Sequence, residues 1–189
     1  IMMGTQLLHE AKNSNIEKFI TLGTVCSYPK FASIPFSENE IWDGFPDESN
    51  AAYGISKKMM LVQSHVYRQQ YGFNSISVIP TNLYGPEDDF NIETSNVVPG
   101  IILKISNAVK TDSNEVVLWG DGSPTRDFLF VDDAADGIVL AAQKYDDASP
   151  INLGAQKETS IKELAMLVSE IMKFSGNIIW DEAKANGQP

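Results

Sequence analysis

The chain has 189 residues, 43% hydrophobic and 21% charged, a composition typical of a globular domain with a sizeable core. Its formal net charge of −11 argues against a nucleic-acid-binding surface. One cysteine, Cys26, excludes an internal disulfide and suits a reducing compartment, so a cytoplasmic location is expected. His9 and His65 give no metal-ligand spacing, so no metal is expected. No apolar run approaches the ~20 residues that span a membrane, and no membrane partner is expected.

Strand and helix patterns alternate along the first part of the chain. The predicted elements are a helix over residues 2–12, a buried strand over 19–24, a long loop over 30–50, a helix over 51–71 ended by Gly72, a strand over 75–79 and a loop over 80–86. The helices carry apolar side chains at a 3.6-residue period, and the strands are short apolar runs rich in β-branched residues. Long loops in compact domains are usually functional.

The second part of the chain continues the alternation. The predicted elements are a polar loop over 87–96, a helix over 97–109, a strand over 116–119, a turn over 120–124, a strand over 128–131, a helix to 145 capped by Asp132 or Asp133, a strand over 151–153, a helix to 174 opened by a Ser160–Glu163 capping box, and a strand over 177–181. This alternation predicts an α/β protein with a parallel sheet. Ligands of such sheets bind beyond the carboxyl ends of strands, where residues 24–29 and 80–86 lie.

Tyr53 and Lys57 lie four residues apart at the start of the predicted helix 51–71. This spacing places both side chains on one helix face. A phenol titrates near pH ~10, and a neighbouring ammonium stabilises the phenolate and lowers the phenol pKa. The pair therefore suits a proton donor and acceptor for an alcohol or carbonyl. Taken alone, however, the spacing favours the simpler interpretation of an exposed lysine one turn from a half-buried tyrosine.

Thr24, at a predicted strand end, precedes this pair in the order Ser/Thr…Tyr-x-x-x-Lys. The order resembles the extended branch of the short-chain dehydrogenase/reductase superfamily, part of the NAD-dependent epimerase/dehydratase family, which acts on nucleotide sugars. Three strings narrow the resemblance to the GDP-L-fucose synthase family: GTVCSYPK at 23–30, PTNLYGP at 80–86 and WGDGSPTRDF at 119–128. The resemblance implies a Rossmann-type doubly wound parallel sheet. It also implies an enzyme that epimerises C3 and C5 of GDP-4-keto-6-deoxy-mannose and reduces C4 with NADPH.

The resemblance implies that Tyr53 gives a proton to the C4 oxygen, that Lys57 holds the nicotinamide ribose and lowers the tyrosine pKa, and that Thr24 hydrogen-bonds the same oxygen. Cys26 matches the family's epimerisation residue, because a thiol of lowered pKa removes the proton alpha to a ketone. A buried apolar cysteine is the alternative. NADP is the expected cofactor, with NAD as the alternative. The implied cofactor contacts are Leu22, Gly23, Thr24, Val25, Tyr53, Lys57, Pro80, Thr81, Asn82 and Leu83.

Asn96 departs from the family pattern, in which a histidine in a Ser-His-Val-Ile-Pro string is the second acid/base of the epimerisation. The chain reads SNVVP at 95–99, and an amide cannot transfer protons as an imidazole does. Replacement by a nearby residue, or simple divergence, is one alternative. The other is a monofunctional 4-ketoreductase, because reduction needs only the tyrosine, the lysine, the threonine and the cofactor.

Lys104, Trp119 and Arg126 fall on the family's substrate-binding positions. Arg126 suits a pyrophosphate, which favours a planar and permanent cation. A solvated helix face for Lys104 and a core position for Trp119 stay open as alternatives. A nucleotide sugar, most simply a GDP-sugar, is therefore the expected partner, and the superfamily also implies a homodimer.

Two further functions stay open: an NAD-dependent nucleotide-sugar 4-epimerase and a non-catalytic nucleotide-sugar-binding protein. Dehydratases of the superfamily carry an Asp-Glu pair after the threonine, where this chain has Val25 and Cys26, which weighs against dehydration. The resemblance places residues 1–86 and 126–155 in a cofactor domain and 87–125 and 156–189 in a substrate domain.

The chain carries no glycine-rich dinucleotide turn. We therefore expect it to be truncated at both ends, with further chain before Ile1. By the resemblance, we also expect the family's C-terminal segment to follow the Gly-Gln-Pro string at 187–189. We also expect the chain to be inactive and poorly stable by itself, because its sheet would have an uncovered edge.

Overall fold

The computed structural model describes residues 1–184. The string at 187–189 lies outside the described residues. The chain divides into two compact units. Unit 1 comprises Ile1–Leu83 and Val131–Gly154, and unit 2 comprises Tyr84–Phe130 and the described residues from Ala155 onward.

Five helices and eight strands occur in the described chain. They are α1 (Met2–Asn13), β1 (Phe19–Leu22), α2 (Ala51–Tyr71), β2 (Ser75–Pro80), β3 (Asn82–Tyr84), α3 (Val97–Thr111), β4 (Glu115–Trp119), β5 (Thr125–Phe130), α4 (Val131–Lys144), β6 (Ile151–Leu153), β7 (Glu158–Ser160), α5 (Ile161–Ile171) and β8 (Asn177–Asp181). Short 3-10 helices lie at Val25–Ser27 and Glu38–Trp42. Within residues 1–184, no helix is long and apolar enough to cross a membrane.

Unit 1 is built on a parallel sheet with the strand order β1-β2-β6. Apolar residues of β2 are buried and pack against partners that include Ala141 of α4. A second cluster joins α1 to α2 through Leu8 and Met60. Leu22, at the end of β1, pairs with Val78 of β2. The carboxyl ends of these strands therefore lie side by side, and the segments that follow them leave from the same edge of the sheet.

Unit 2 has its own core, formed where α3 and α5 pack with β4. Ile105 and Ala165 are fully buried there. Strands β4 and β8 form a parallel pair, and β5 pairs with β7 in antiparallel register. The predicted capping box of α5 is confirmed: Ser160 Oγ accepts a hydrogen bond from the Glu163 backbone N–H at 3.1 Å, and the Glu163 carboxylate accepts one from the Ser160 N–H at 2.8 Å.

Several predicted boundaries are wrong. Strand β1 ends at Leu22, two residues early, and it is only partly buried, because β2 is its one neighbour in the described sheet. Helix α4 begins at Val131, directly after β5, so Asp132 and Asp133 lie inside its first turn, where the helix dipole favours acidic side chains, instead of capping it. Helix α5 ends at Ile171 and not at Phe174.

Strand β3 and the 3-10 helix at Glu38–Trp42 lie within predicted loops, and β7 lies where the sequence predicts no strand. Each of the two strands has three residues, too few to show an alternating pattern. Both are neighbours of β5 in a three-stranded sheet, so pairing with β5 defines them. Local sequence carries little of this information, since strand propensity depends strongly on context.

Candidate active site

The segment that leaves β1 turns sharply and carries Thr24 and Cys26. Thr24 is the N-cap of the 3-10 helix Val25–Ser27, and its Oγ1 accepts a hydrogen bond from the Cys26 backbone N–H at 3.3 Å. The Gly23 N–H donates to the carbonyl of Val78 at 2.8 Å, which ties the segment to β2. Thr24 is only 8% exposed, and Cys26 is half-buried. The hydroxyl and the thiol are therefore held on one short turn at the sheet edge.

The first turn of α2 packs tightly against this turn. The hydroxyl of Ser27, which is fully buried, donates to the carbonyl of Gly54 at 3.0 Å. A β-carbon at Gly54 would clash with the carbonyl oxygen of Cys26, so only glycine permits this approach without movement of the backbone. Gly54 follows Tyr53 directly, and the contact therefore sets the position of the Tyr53 backbone relative to the Thr24 turn.

Lys57 lies one turn along α2 from Tyr53. Its Nζ donates to the carbonyl of Leu22 at 3.0 Å and lies 5.9 Å from the centre of the Tyr53 ring. Tyr53 is 50% exposed, so its hydroxyl is not locked in the protein core. Because Leu22 is the last residue of β1, its bond to Lys57 brings the ammonium to the strand end from which Thr24 emerges. Unit 1 thus gathers these side chains at one edge of its sheet.

The segment after β2 lies at the same edge. Its Thr81 N–H donates to the carbonyl of Leu153 at 2.9 Å, which ties the segment to β6. The Thr81 Oγ1 is buried and has no hydrogen-bond partner within residues 1–184. One of the three ammonium donors of Lys57 is used by Leu22. The unpartnered hydroxyl and the remaining ammonium donors suit a polar ligand such as the sugar hydroxyls of a nicotinamide cofactor.

A cationic aromatic cluster lies in unit 2. Trp119 is 63% exposed, which excludes the core alternative for this residue. The Lys104 Nζ lies 5.4 Å from the Trp119 ring and donates to the carbonyl of Val117 at 3.0 Å, so Lys104 is not a freely solvated lysine. Burial lowers the pKa of Lys104. The Lys184 Nζ lies 5.9 Å from the same ring. Lys184 belongs to a segment without a sequence pattern that could have drawn attention to it.

Arg126, a predicted substrate contact, and Asn96, which stands in place of the family's histidine, are also in unit 2. Arg126 is half-buried on β5, and its guanidinium donates to the carbonyl of Thr125 at 2.6 Å. Asn96 is the N-cap of α3 by backbone position, but its side chain makes no capping hydrogen bond. Asn96 is exposed, so its amide is open to solvent.

The two histidines occupy ordinary helix positions. The Nδ1 of His9 lies 3.1 Å from the Tyr67 hydroxyl and its Nε2 lies 3.0 Å from the Asn13 amide. His65 lies on α2 and is exposed. Within the part of the chain that the structure describes, no group of three or more His, Cys, Asp or Glu residues is arranged to hold a metal ion.

The parallel sheet, its covering helices and the residues at its carboxyl edge define a Rossmann-type protein. Residues 1–154 match the NAD dependent epimerase/dehydratase family, and the chain belongs to this family. The chain is 42% identical over 94% of its length to the probable GDP-L-fucose synthase 1 of Oryza sativa subsp. japonica, of which it covers 54%. It is 39% identical over its whole length to GDP-L-fucose synthase 1 of Arabidopsis thaliana, of which it covers 58%. The chain spans 54% to 62% of the length of the curated relatives that it matches.

Solved structures agree with the fold. The GDP-L-fucose synthetase from Naegleria fowleri bound to NADP superposes with a TM-score of 0.91 at 32% identity, over 98% of this chain and 60% of that chain. The UDP-glucose 4-epimerase from Thermotoga maritima superposes with a TM-score of 0.85 at 26% identity, over 100% of this chain and 57% of that chain. The predicted Rossmann-type α/β fold and the resemblance to the GDP-L-fucose synthase family are confirmed.

Proposed function

We propose that the protein is a nucleotide-sugar oxidoreductase that reduces a GDP-4-keto-6-deoxy-hexose with NADPH and epimerises it at C3 and C5, and that it thereby acts as a GDP-L-fucose synthase, the name that its relatives carry. One observation carries the proposal: Thr24, Cys26 and Lys57 converge on the carboxyl end of β1, with Tyr53 one turn from the lysine. The name shared by the relatives and the NADP of the Naegleria structure support the choice of substrate and cofactor.

The residues at the sheet edge suit a nicotinamide cofactor, which supplies the hydride when bound. Lys57 would bind the nicotinamide ribose through the ammonium donors that Leu22 does not use. The unpartnered Thr81 Oγ1 would give the cofactor a second polar contact. The proposed backbone contacts come from two segments, residues 22–25 and 80–83. NAD stays the alternative cofactor, because no residue of the described chain is assigned to the motif position that selects NADP over NAD in dinucleotide-binding folds.

The acid–base chemistry of reduction belongs to Tyr53. As a hydride reaches C4 of the ketone, negative charge grows on the C4 oxygen and a proton must arrive there. Tyr53 donates this proton, and Thr24 donates a second hydrogen bond to the same oxygen. The Lys57 Nζ lies 5.9 Å from the centre of the Tyr53 ring, so a positive charge stands close to the proposed proton donor. Pre-placed donors of this kind lower the barrier because they need no reorganisation during the reaction.

Epimerisation would use Cys26, whose thiolate removes the acidic proton next to the ketone. The return of a proton to the opposite face needs a second acid, and Asn96 cannot supply it. A single acid–base group near Cys26, or bound water, would then have to replace the family's histidine. Asn96 is therefore the specific observation that favours a second candidate function, a GDP-sugar 4-ketoreductase without epimerase activity.

The nucleotide part of the substrate is assigned to unit 2. Trp119 offers an exposed aromatic surface beside the Lys104 ammonium, and Arg126 adds a planar cation. Charge-assisted hydrogen bonds from such groups suit a pyrophosphate. We accordingly assign the cofactor to unit 1 and the substrate nucleotide to unit 2, close to the expected division of the chain into cofactor and substrate domains.

Three further expectations remain proposals. The protein is proposed to be a homodimer whose seam includes α2, on which Ile55, Met59 and Val62 are exposed. A cytoplasmic location is proposed because its lone cysteine requires no oxidising compartment. The 189-residue chain alone is proposed to be inactive, because it spans 54% to 62% of its curated relatives.

The decisive experiment incubates the full-length protein with NADPH and GDP-4-keto-6-deoxy-mannose and follows the loss of NADPH absorbance. We expect NADPH oxidation that depends on the ketone. Absence of oxidation with this ketone and with related 4-keto sugars would overturn the reductase proposal. Repeating the reaction in deuterium oxide separates the two candidates: label at C3 or C5 of the product supports epimerisation, and an unlabelled product supports the 4-ketoreductase.

Cys26 has its own test in the Cys26→Ser variant. We expect this variant to lose deuterium incorporation at C3 and C5 and to keep ketone reduction, because the weakly acidic hydroxyl of serine is a poor base. The matched control is the wild-type protein in the same deuterated buffer. Loss of exchange and reduction together would count against a separate epimerisation role for Cys26.

A further inference from the structure

A buried polar anchor fixes the far end of the Thr24–Cys26 turn. Tyr28, 3% exposed, donates from its hydroxyl to the Asn152 Oδ1 at 2.8 Å. The Asn152 Nδ2 donates to the carbonyl of Phe36 at 3.0 Å. The Phe36 ring stacks on the Tyr28 ring, with centres 4.5 Å apart and planes at 10°. Three residues from three chain segments therefore close one ring of contacts.

A fourth residue extends the anchor. The backbone N–H of Asn152 donates to the Glu38 carboxylate at 2.8 Å. Burial raises the pKa of Tyr28 to about 12, the hydrogen bond with Asn152 opposes this rise, and the Glu38 and Glu40 carboxylates add to it. The phenol is thus a permanent donor at neutral pH. Both Asn152 groups are satisfied, so the amide has a single orientation.

The anchor reaches the reacting groups through a short path. The Tyr28 N–H donates to the Val25 carbonyl at 3.0 Å, which closes the 3-10 helix that Thr24 caps. At its other end, Asn152 lies on β6 and pairs in register with Ile79 of β2. The anchor therefore connects the turn that carries Thr24 and Cys26 to the central strand of the sheet, independently of the bond between Ser27 and Gly54.

We infer that Tyr28 and Asn152 are positioning residues, which hold the Thr24–Cys26 turn in register with the sheet for the proposed reaction. The inference rests on the proposed function for its kinetic consequence. The Tyr28 and Asn152 side chains act through the turn and take no part in proton or hydride transfer. Their proposed contribution is to the geometry of Thr24 and Cys26, since small misplacements of reacting groups cost large factors in rate.

The test compares Tyr28→Phe, Asn152→Ala and the double variant in the full-length protein. Tyr28→Phe keeps the ring stack and removes only the hydroxyl. We expect kcat for ketone reduction to fall about tenfold with little change in KM for NADPH. Both substitutions break the same bond. The kcat of the double variant should therefore be only slightly below that of the less active single variant. Losses that multiply in the double variant, or an unchanged kcat in Tyr28→Phe, would overturn the inference.

The control is Tyr145→Phe, which removes the hydroxyl that donates to the Ser149 carbonyl within unit 1. We expect its kcat to match the wild type. A second readout does not depend on activity: amide hydrogen exchange of the peptide that covers residues 23–30. Exchange there should be faster in Tyr28→Phe than in Tyr145→Phe and the wild type. If the wild type fails to oxidise NADPH, the proposed function falls while the exchange data still decide the anchor, and unchanged exchange would overturn it.

Discussion

The two units hold their candidate functional residues in different ways. In unit 1, backbone groups fix the positions: Lys57 donates to the end of β1, and Thr24 caps its own turn. In unit 2, Trp119 stands 63% exposed, with two lysine ammoniums beside its ring. The first arrangement suits a reaction, which needs a few groups in fixed places. The second suits recognition of a flat and charged ligand by an open surface.

This contrast divides the proposed activity between the units. Changes in unit 1 should alter the rate of the chemical step and leave nucleotide affinity intact. Changes in unit 2 should alter affinity and leave the chemical step intact. In kinetic terms, lost transition-state interactions lower kcat, whereas lost uniform binding raises KM.

Removal of the Tyr53 hydroxyl should have the largest effect. Tyr53→Phe keeps the ring on α2 but removes the proposed proton donor, so we expect kcat for NADPH-dependent ketone reduction to fall by about 10² to 10⁴. KM for the nucleotide sugar should stay within about twofold of the wild type, because no unit 2 contact changes. Steady-state kinetics on the purified full-length protein measure both constants. A kcat loss below tenfold would assign the proton to another group.

Removal of the Lys104 charge should have the opposite kinetic effect, a change in KM at nearly constant kcat. A charged hydrogen bond contributes about 1.5 to 3 kcal/mol, and partial exposure of Lys104 reduces this value. We therefore expect Lys104→Met to raise KM for the GDP-sugar about tenfold at nearly constant kcat. The control is Lys110→Met, on the last turn of the same helix, which should leave KM unchanged. A fall in kcat without a rise in KM would break the division between the units.

The depressed pKa of Lys104 adds a pH dependence to this test. Burial disfavours the ammonium, so in the free protein Lys104 loses its proton at a lower pH than an exposed lysine does. The cation is complete at low pH and is lost as pH rises through the folded-state value, so KM for the GDP-sugar should rise severalfold in alkaline buffer. Lys104→Arg stays charged and should flatten the profile. If the KM–pH profiles of the wild type and Lys104→Arg coincide, Lys104 is not the titrating group.

Much of the fold was predictable because its long elements have strong local patterns. The 21-residue helix α2 carries its apolar period throughout and ends at Tyr71, and its C-cap Gly72 has a φ of 61° that suits glycine. The capping box at Ser160 was equally readable. By contrast, β3 and β7 are defined by their pairing with β5, which local sequence does not reveal. The predicted start of α4 is wrong because acidic residues are favoured both at the cap and in the first turn of a helix, and here they lie in the first turn.

The candidate site was predictable only in part. The spacing of Tyr53 and Lys57 follows from helix geometry, and Thr24 follows from its place at a strand end. The contact of Ser27 with Gly54 leaves no mark in the sequence, since it depends on how closely α2 approaches the turn. The anchor from Tyr28 to Asn152 joins residues 124 positions apart, beyond the reach of any local pattern. Assignment of Lys104, Trp119 and Arg126 needed the resemblance.

The smallest expected effects come from two serine variants, which separate loss of stability from loss of positioning. Ser27→Ala removes a hydroxyl bond between the Thr24 turn and α2, and Ser160→Ala removes the cap of α5. Each should lower the free energy of unfolding by about 1 kcal/mol, measured by urea denaturation. Only Ser27→Ala should also lower kcat, by a few fold, because only that bond sets Tyr53 against Thr24. Equal kcat losses in both variants would mean that general destabilisation, and not the joint between these two elements, controls the reaction rate.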